Sequence, residues 1–292
     1  MNLISQPNVI THQPIIKLNS NPDLKKSDPV LTVHDDRVYY LSSDCLFSLD
    51  YESKEWKSEG EPQFKADYGF SMSSTPSGLV FFGGCRENDS NFVSDLYIYS
   101  FEHWLAHTHN ASPRCWHAAT WVPSLSSLLI SGGYGPKGIK DDFILLDITS
   151  GLTRQLPLQI PLPFAFHTIT VINPTWVCLY GGQFQDGRQN NNVFLINVHN
   201  GKVEKLDDFP FFQPRYQHRA FNFYGNLLVS GGYNISSPKA NNGNSKTQLK
   251  NVDVPVNSII LLVFLHRVWL MCPIPEQLSK AMTDTSYALL LS

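Results

Sequence analysis

The chain has 292 residues, with 22 Lys+Arg against 25 Asp+Glu and a formal net charge of −3. Charged residues make up only 16% of it and aromatics 12%, alongside 18 Gly and 19 Pro; an ordinary soluble domain is about 25% charged. This composition excludes a coiled coil, a charged disordered chain or a helix bundle, and the near-neutral balance excludes a binder of nucleic acid or membrane driven by bulk charge.

The first residues, Met1 to Gln6, carry no basic segment leading into an apolar stretch, so no signal peptide is expected. Within 1–27, Val9-Ile10 and Ile15 to Leu18 are short extended candidates. The next unit, 28–61, holds Val38 to Leu41, then Ser42-Ser43, then Leu46 to Asp50 and Trp56. The unit 64–109 holds Leu79 to Phe82, Gly83-Gly84, Leu96 to Tyr99 and Trp104. In 113–157 come Leu128 to Ser131, Gly132-Gly133, and Phe143 to Leu146. In 163–208 come Val177 to Tyr180, Gly181-Gly182, and Val193 to Ile196. The unit 214–272 repeats the order with Leu227 to Ser230, Gly231-Gly232, Ile259 to Phe264 and Trp269. It carries an insert, 233–257, whose stretch Ser236 to Lys246 is too polar to bury and reads as a flexible loop. The end, 273–292, reads as the first part of another unit, with Tyr287 to Ser292 as an inner strand.

Double glycines recurring about every 50 residues, each after an apolar run, mark a structural repeat. Four strands in such a period form a propeller blade. A blade buries its faces only against neighbours, so the blades must stack around an axis. The fold expected is therefore all-β: a single propeller of five complete four-stranded blades and a sixth partial blade, closed by residues 1–27.

The order of apolar strand, Gly-Gly, loop, aromatic-aliphatic strand and Trp resembles the kelch repeat over roughly residues 28–292. The departures are Ser42-Ser43 and the absence of Trp in the third and fourth units, where Leu152 and Val203 stand near its place. The resemblance implies a propeller that binds a protein or peptide partner.

Three histidines, His117, His167 and His218, each lie four residues after a proline and precede a double glycine. One per blade, they are too far apart to share an ion and read as structural hydrogen-bonding groups. His103, His107 and His109 lack the local Cys or further ligands of a closed zinc shell. Asp44, Asp95, Asp142 and Asn192 open corresponding strands and read as turn caps. No nucleophile elbow, zinc-protease helix, phosphate loop or dinucleotide fingerprint occurs, so no catalytic residue, metal or cofactor is expected.

The turns entering each blade cluster at one mouth of a closed ring. They carry Lys65 and Tyr68, Arg114 and Trp116, Phe164 and Phe166, and Arg215 and Tyr216. Arginine alternating with aromatics is interface chemistry, so these eight residues are the expected contact set for an acidic or hydroxyl-bearing peptide. The five cysteines are scattered, with no C-x-x-C, and read as free thiols of a reducing compartment, cytoplasmic or nuclear. The apolar run Ile259 to Leu265 is too short to span a bilayer. The expectation is a non-catalytic, monomeric interaction module, a substrate receptor or scaffold, with no direct nucleic-acid or membrane contact. The alternative is the kelch part of a protein similar to tRNA wybutosine-synthesizing methyltransferases of the leucine carboxyl methyltransferase type, with its catalytic domain outside these residues.

Overall fold

In a computed structural model of the chain, the described residues are 30–41, 45–50, 52–64, 66–86, 91–158, 160, 164–206, 214–236, 252–256, 258–264 and 268–272. They form five four-stranded antiparallel sheets. The first holds β1 (Val30–His34), β2 (Arg37–Leu41), β3 (Leu46–Asp50) and β4 (Trp56–Gly60). The second holds β5 (Ser71–Thr75), β6 (Gly78–Phe82), β7 (Leu96–Ser100) and β8 (His103–His107). The third holds β9 (Ala118–Val122) and β10 (Ser127–Ser131); after a short ribbon, β11 (Tyr134–Gly135) with β12 (Gly138–Ile139), it continues as β13 (Phe143–Leu146) and β14 (Thr153–Gln155). The fourth is β15 (Thr168–Val171), β16 (Trp176–Tyr180), β17 (Val193–Asn197) and β18 (Val203–Leu206). The fifth has β19 (Arg219–Phe223) and β20 (Asn226–Ser230), a second ribbon of β21 (Tyr233–Ser236) with β22 (Val252–Pro255), then β23 (Ile259–Val263) and β24 (Val268–Cys272).

Within each sheet the strands lie side by side in chain order, so each blade is an up-and-down meander. The first strands pack in succession, β1 on β5, β5 on β9, β9 on β15 and β15 on β19. These strands line the axis, and the fold is a β-propeller. The apolar runs before the glycines form the second strands, sandwiched between neighbouring blades. Leu79 to Phe82, Leu128 to Ile130 and Val177 to Tyr180 are all fully buried there, which is why they do not alternate. The proposed N-terminal closing segment, residues 1–27, the partial sixth blade, 273–292, and 237–251 of the insert lie outside the described residues.

Register sharpens one sequence assignment. Trp56 pairs with Leu49 and Trp104 with Tyr99, and the corresponding partners in the third and fourth blades are Thr153 and Val203. Thr153 rather than Leu152 thus holds the tryptophan place; Leu152 is 65% exposed.

The double glycines lock blade to blade. The second glycine N–H of one blade donates to a carbonyl in the entry turn of the next: Gly84 to Arg114 at 2.8 Å, Gly133 to Phe164 at 2.8 Å and Gly182 to Arg215 at 2.9 Å. A Cβ on the first glycine would meet that same carbonyl, at 2.6 Å for Gly83, 2.3 Å for Gly132 and 2.5 Å for Gly181. Both glycines of each of these pairs also have positive φ, so their absent side chains are a condition of blade packing.

Candidate partner-binding site

Each of the four described entry turns places one residue in left-handed backbone conformation: Gly69, Trp116, Phe166 and Gln217, with φ of 68°, 51°, 59° and 53°. That geometry turns both backbone groups along the ring. Trp116 N–H donates to Gly69 O at 2.7 Å, Phe166 N–H to Trp116 O at 2.9 Å, and Gln217 N–H to Phe166 O at 3.1 Å. The preceding residues pair radially with the strand past the glycines: Tyr68 with Cys85, Cys115 with Tyr134, Ala165 with Gln183 and Tyr216 with Tyr233. A backbone mesh therefore fixes the mouth over four blades.

The mesh displays a run of aromatic rings. Tyr68 stacks on Trp116 with centroids 5.4 Å apart, Trp116 lies 5.0 Å from Phe166, and Phe166 is 5.9 Å from Tyr216. Tyr134 bridges Trp116 and Phe166 edge-on at 5.7 and 5.9 Å, and Tyr233 extends the run from Tyr216 at 6.0 Å. Left-handed backbone at an aromatic residue is strained. Trp116 and Phe166 are held there by the inter-blade hydrogen bonds just described.

The eight expected contact residues divide. Tyr68, Trp116 and Phe166 are half-buried in the mouth and meet in the aromatic run, with Tyr216 buried beneath its end. Phe164 is a core residue, packed on Phe184 and Phe194. Lys65 lies outside the described residues. The two arginines require correction, because both are buried, Arg114 at 0% and Arg215 at 1% exposure. Arg114 forms a two-pronged ion pair with Asp142, Nη1 to Oδ1 at 2.6 Å and Nη2 to Oδ2 at 2.7 Å, and also donates to Gly132 O at 3.1 Å. Arg215 repeats the bond to Gly231 O at 3.1 Å, but where Asp142 stood it finds Ser258, Nη2 to Oγ at 2.9 Å. The fourth blade has Phe164 and Asn192 in these two places, and Asn190 Nδ2 caps the Gly181 carbonyl instead, at 2.9 Å. Both arginines serve the interior. Asp142, read from sequence as a turn cap, is the counter-ion of a buried guanidinium. Tyr134 and Tyr233 lie outside the eight expected residues; their place directly after a double glycine, opposite an entry turn, is the signal that marks them.

The periodic histidines are wedges between blades. His117 Nε2 lies 2.9 Å from Ser71 Oγ, His167 Nε2 2.8 Å from Ser131 Oγ and His218 Nε2 2.8 Å from Thr168 Oγ1, each across a blade boundary. Through Nε2 each imidazole thus shares one hydrogen bond with a hydroxyl of the preceding blade. Burial holds all three neutral, with His167 pushed down to about 3. His109 accepts from Ala111 N–H at 3.0 Å and is likewise held neutral by burial. Among the described residues no group of three or more His, Cys, Asp or Glu could hold a metal ion. No described helix is long and apolar enough to cross a membrane.

The model of the KLHDC2/KLHL20/DRC7 kelch-repeats domain matches residues 69–280. The chain belongs to the kelch-repeat family. This kelch propeller is similar to Adagio protein 3 of Arabidopsis thaliana, 24% identical over 217 residues that cover 66% of this chain and 34% of that protein. Putative adagio-like protein 2 of Oryza sativa subsp. japonica is 26% identical over 44% of this chain and 21% of its own. The chain thus spans about a third or less of the length of these relatives. The solved structure of YjhT superposes with a TM-score of 0.69 over 83% of this chain and 82% of its own, at 15% identity, a likeness of fold alone.

Proposed function

We propose that the chain is a non-catalytic protein-interaction module, a substrate receptor or scaffold, that takes a peptide segment of its partner on the aromatic mouth. The observation that carries this reading is the run Tyr68–Trp116–Phe166, drawn from three blades and held by a continuous inter-blade backbone chain. Large rigid rings give contact area at little entropic cost, and they dominate binding energy where they cluster. The strained backbone at Trp116 and Phe166 adds support, since strain persists where the surroundings over-determine it and function uses it. With the arginines in the interior, selection for an acidic segment loses its basis, and stacking on apolar or aromatic side chains takes its place. The scattered thiols support a reducing compartment, cytosol or nucleus.

The test is quantitative affinity capture from cell lysate with the wild type, the double variant Trp116→Ala/Phe166→Ala, and Tyr224→Ala at the opposite end of the fifth blade. The reading expects a partner set retained by wild type and Tyr224→Ala and lost with the mouth variant. Equal retention by all three would contradict it.

A further inference from the structure

Among the described residues, the outermost strands β4, β8, β14, β18 and β24 present the unpaired edges of the five blades, a standing invitation to pair with another chain. Three of these edges carry the charges that ordinarily block such pairing: Lys57 and Glu59 on β4, Arg154 on β14, and Glu204 and Lys205 on β18. β8 carries none. Its sequence, His103-Trp104-Leu105-Ala106-His107, has no Asp, Glu, Lys, Arg or Pro over five residues. Leu105 is 54% exposed, and Phe101 at the tip of the same hairpin is 93% exposed. β24 is also uncharged, but residues on both sides of it lie outside the described set. β8 is described from one flank to the other.

The sequence of β8 is close to a palindrome. Laid antiparallel on a second copy with Leu105 at the centre, it sets Leu105 opposite Leu105, His103 opposite His107, and Trp104 opposite Ala106, a large ring facing the smallest side chain of the strand. Trp104 is already fixed by its own blade, 4.8 Å from Phe81 and 5.0 Å from Tyr99, so pairing orders little that is not ordered before. Like residues opposite one another are the signature of a two-fold, self-complementary interface. Phe101 then falls against the far end of the mate's strand and lengthens the apolar contact.

We propose that β8 docks on β8 of a second copy of this chain, joining two propellers edge to edge as a two-fold dimer, in place of the monomer expected from the sequence. Five residues a side make a small interface, of the class that forms weak, concentration-dependent complexes. The dimer carries two aromatic mouths and so engages a partner with repeated segments bivalently.

Sedimentation velocity of the intact chain across a dilution series tests this. The mean mass should rise from 33.0 kDa towards twice that value with concentration, and Leu105→Lys should abolish the rise while Leu270→Lys, on β24, leaves it. Leu105 is exposed, so the fold tolerates the change. As a second measurement, Leu105→Cys should give a disulfide-linked dimer on mild oxidation, and Leu152→Cys, at a similarly exposed leucine, should not. A monomer at every concentration, a rise insensitive to Leu105→Lys, or equal cross-linking by the two cysteine variants would overturn the proposal.

Discussion

His167 Nε2 shares a 2.8 Å hydrogen bond with Ser131 Oγ across the boundary between the third and fourth blades, with its Cε1 lying 3.0 Å from where a Cβ on Gly132 would stand. The same ring packs its own Cβ on Gly182, 2.8 Å from that residue's missing Cβ. One imidazole is thus clamped between the first glycine of one blade and the second glycine of the next, and it fits only while neutral.

Three such histidines make the fold sensitive to acid. Their folded pKa values are depressed by burial, His167 to about 3, while in the unfolded chain they titrate near 6.5. Between those limits the unfolded state binds more protons. Stability is therefore full above pH ~6.5 and falls as pH drops, by about 1.4 kcal/mol per pH unit for each histidine. Chemical denaturation between pH 7.5 and 4.5 checks this, and His167→Gln should make the slope shallower.

Glycine substitutions should separate packing from backbone strain. Gly132→Ala puts a Cβ 2.3 Å from Phe164 O at φ 57° and is expected to cost more than 3 kcal/mol. Gly225→Ala, at φ 76° with nothing within 4 Å, carries strain alone and should cost about 1 kcal/mol. Urea midpoints of the two variants measure the difference.

The third and fifth blades offer a matched pair. Asp142→Asn leaves the fully buried Arg114 without its counter-ion and should cost about 3–5 kcal/mol. Ser258→Asp supplies the acid that Arg215 lacks among the described residues and should raise the melting temperature. Calorimetry of both variants reads the two signs.

The double-glycine period made the blades legible, because close inter-blade approach at Gly83, Gly132 and Gly181 excludes every larger residue. Burial of the second strands was likewise written in the unbroken apolar runs. The arginines were not legible as interior groups. Whether Arg114 faces solvent depends on Asp142, a strand edge 28 residues on, and one sequence position does not reveal the other's direction. The hint was joint variation inside the chain, since the fourth blade replaces both members of the pair, with Phe164 and Asn192. The aromatic run was half legible: Tyr68, Trp116 and Phe166 came from the turn sequences. Tyr134 and Tyr233 join only through strand pairing beyond the glycines.

The most direct measurement begins with peptides selected from a random display library on the wild-type propeller, titrated at equilibrium against Trp116→Ala/Phe166→Ala and Tyr224→Ala. Loss of about 2 kcal/mol at the mouth corresponds to roughly 30-fold weaker binding. The account predicts at least that loss for the double variant, with an unchanged melting profile in the propeller and unchanged affinity for Tyr224→Ala. Equal affinity of the mouth variant and the wild type would contradict it.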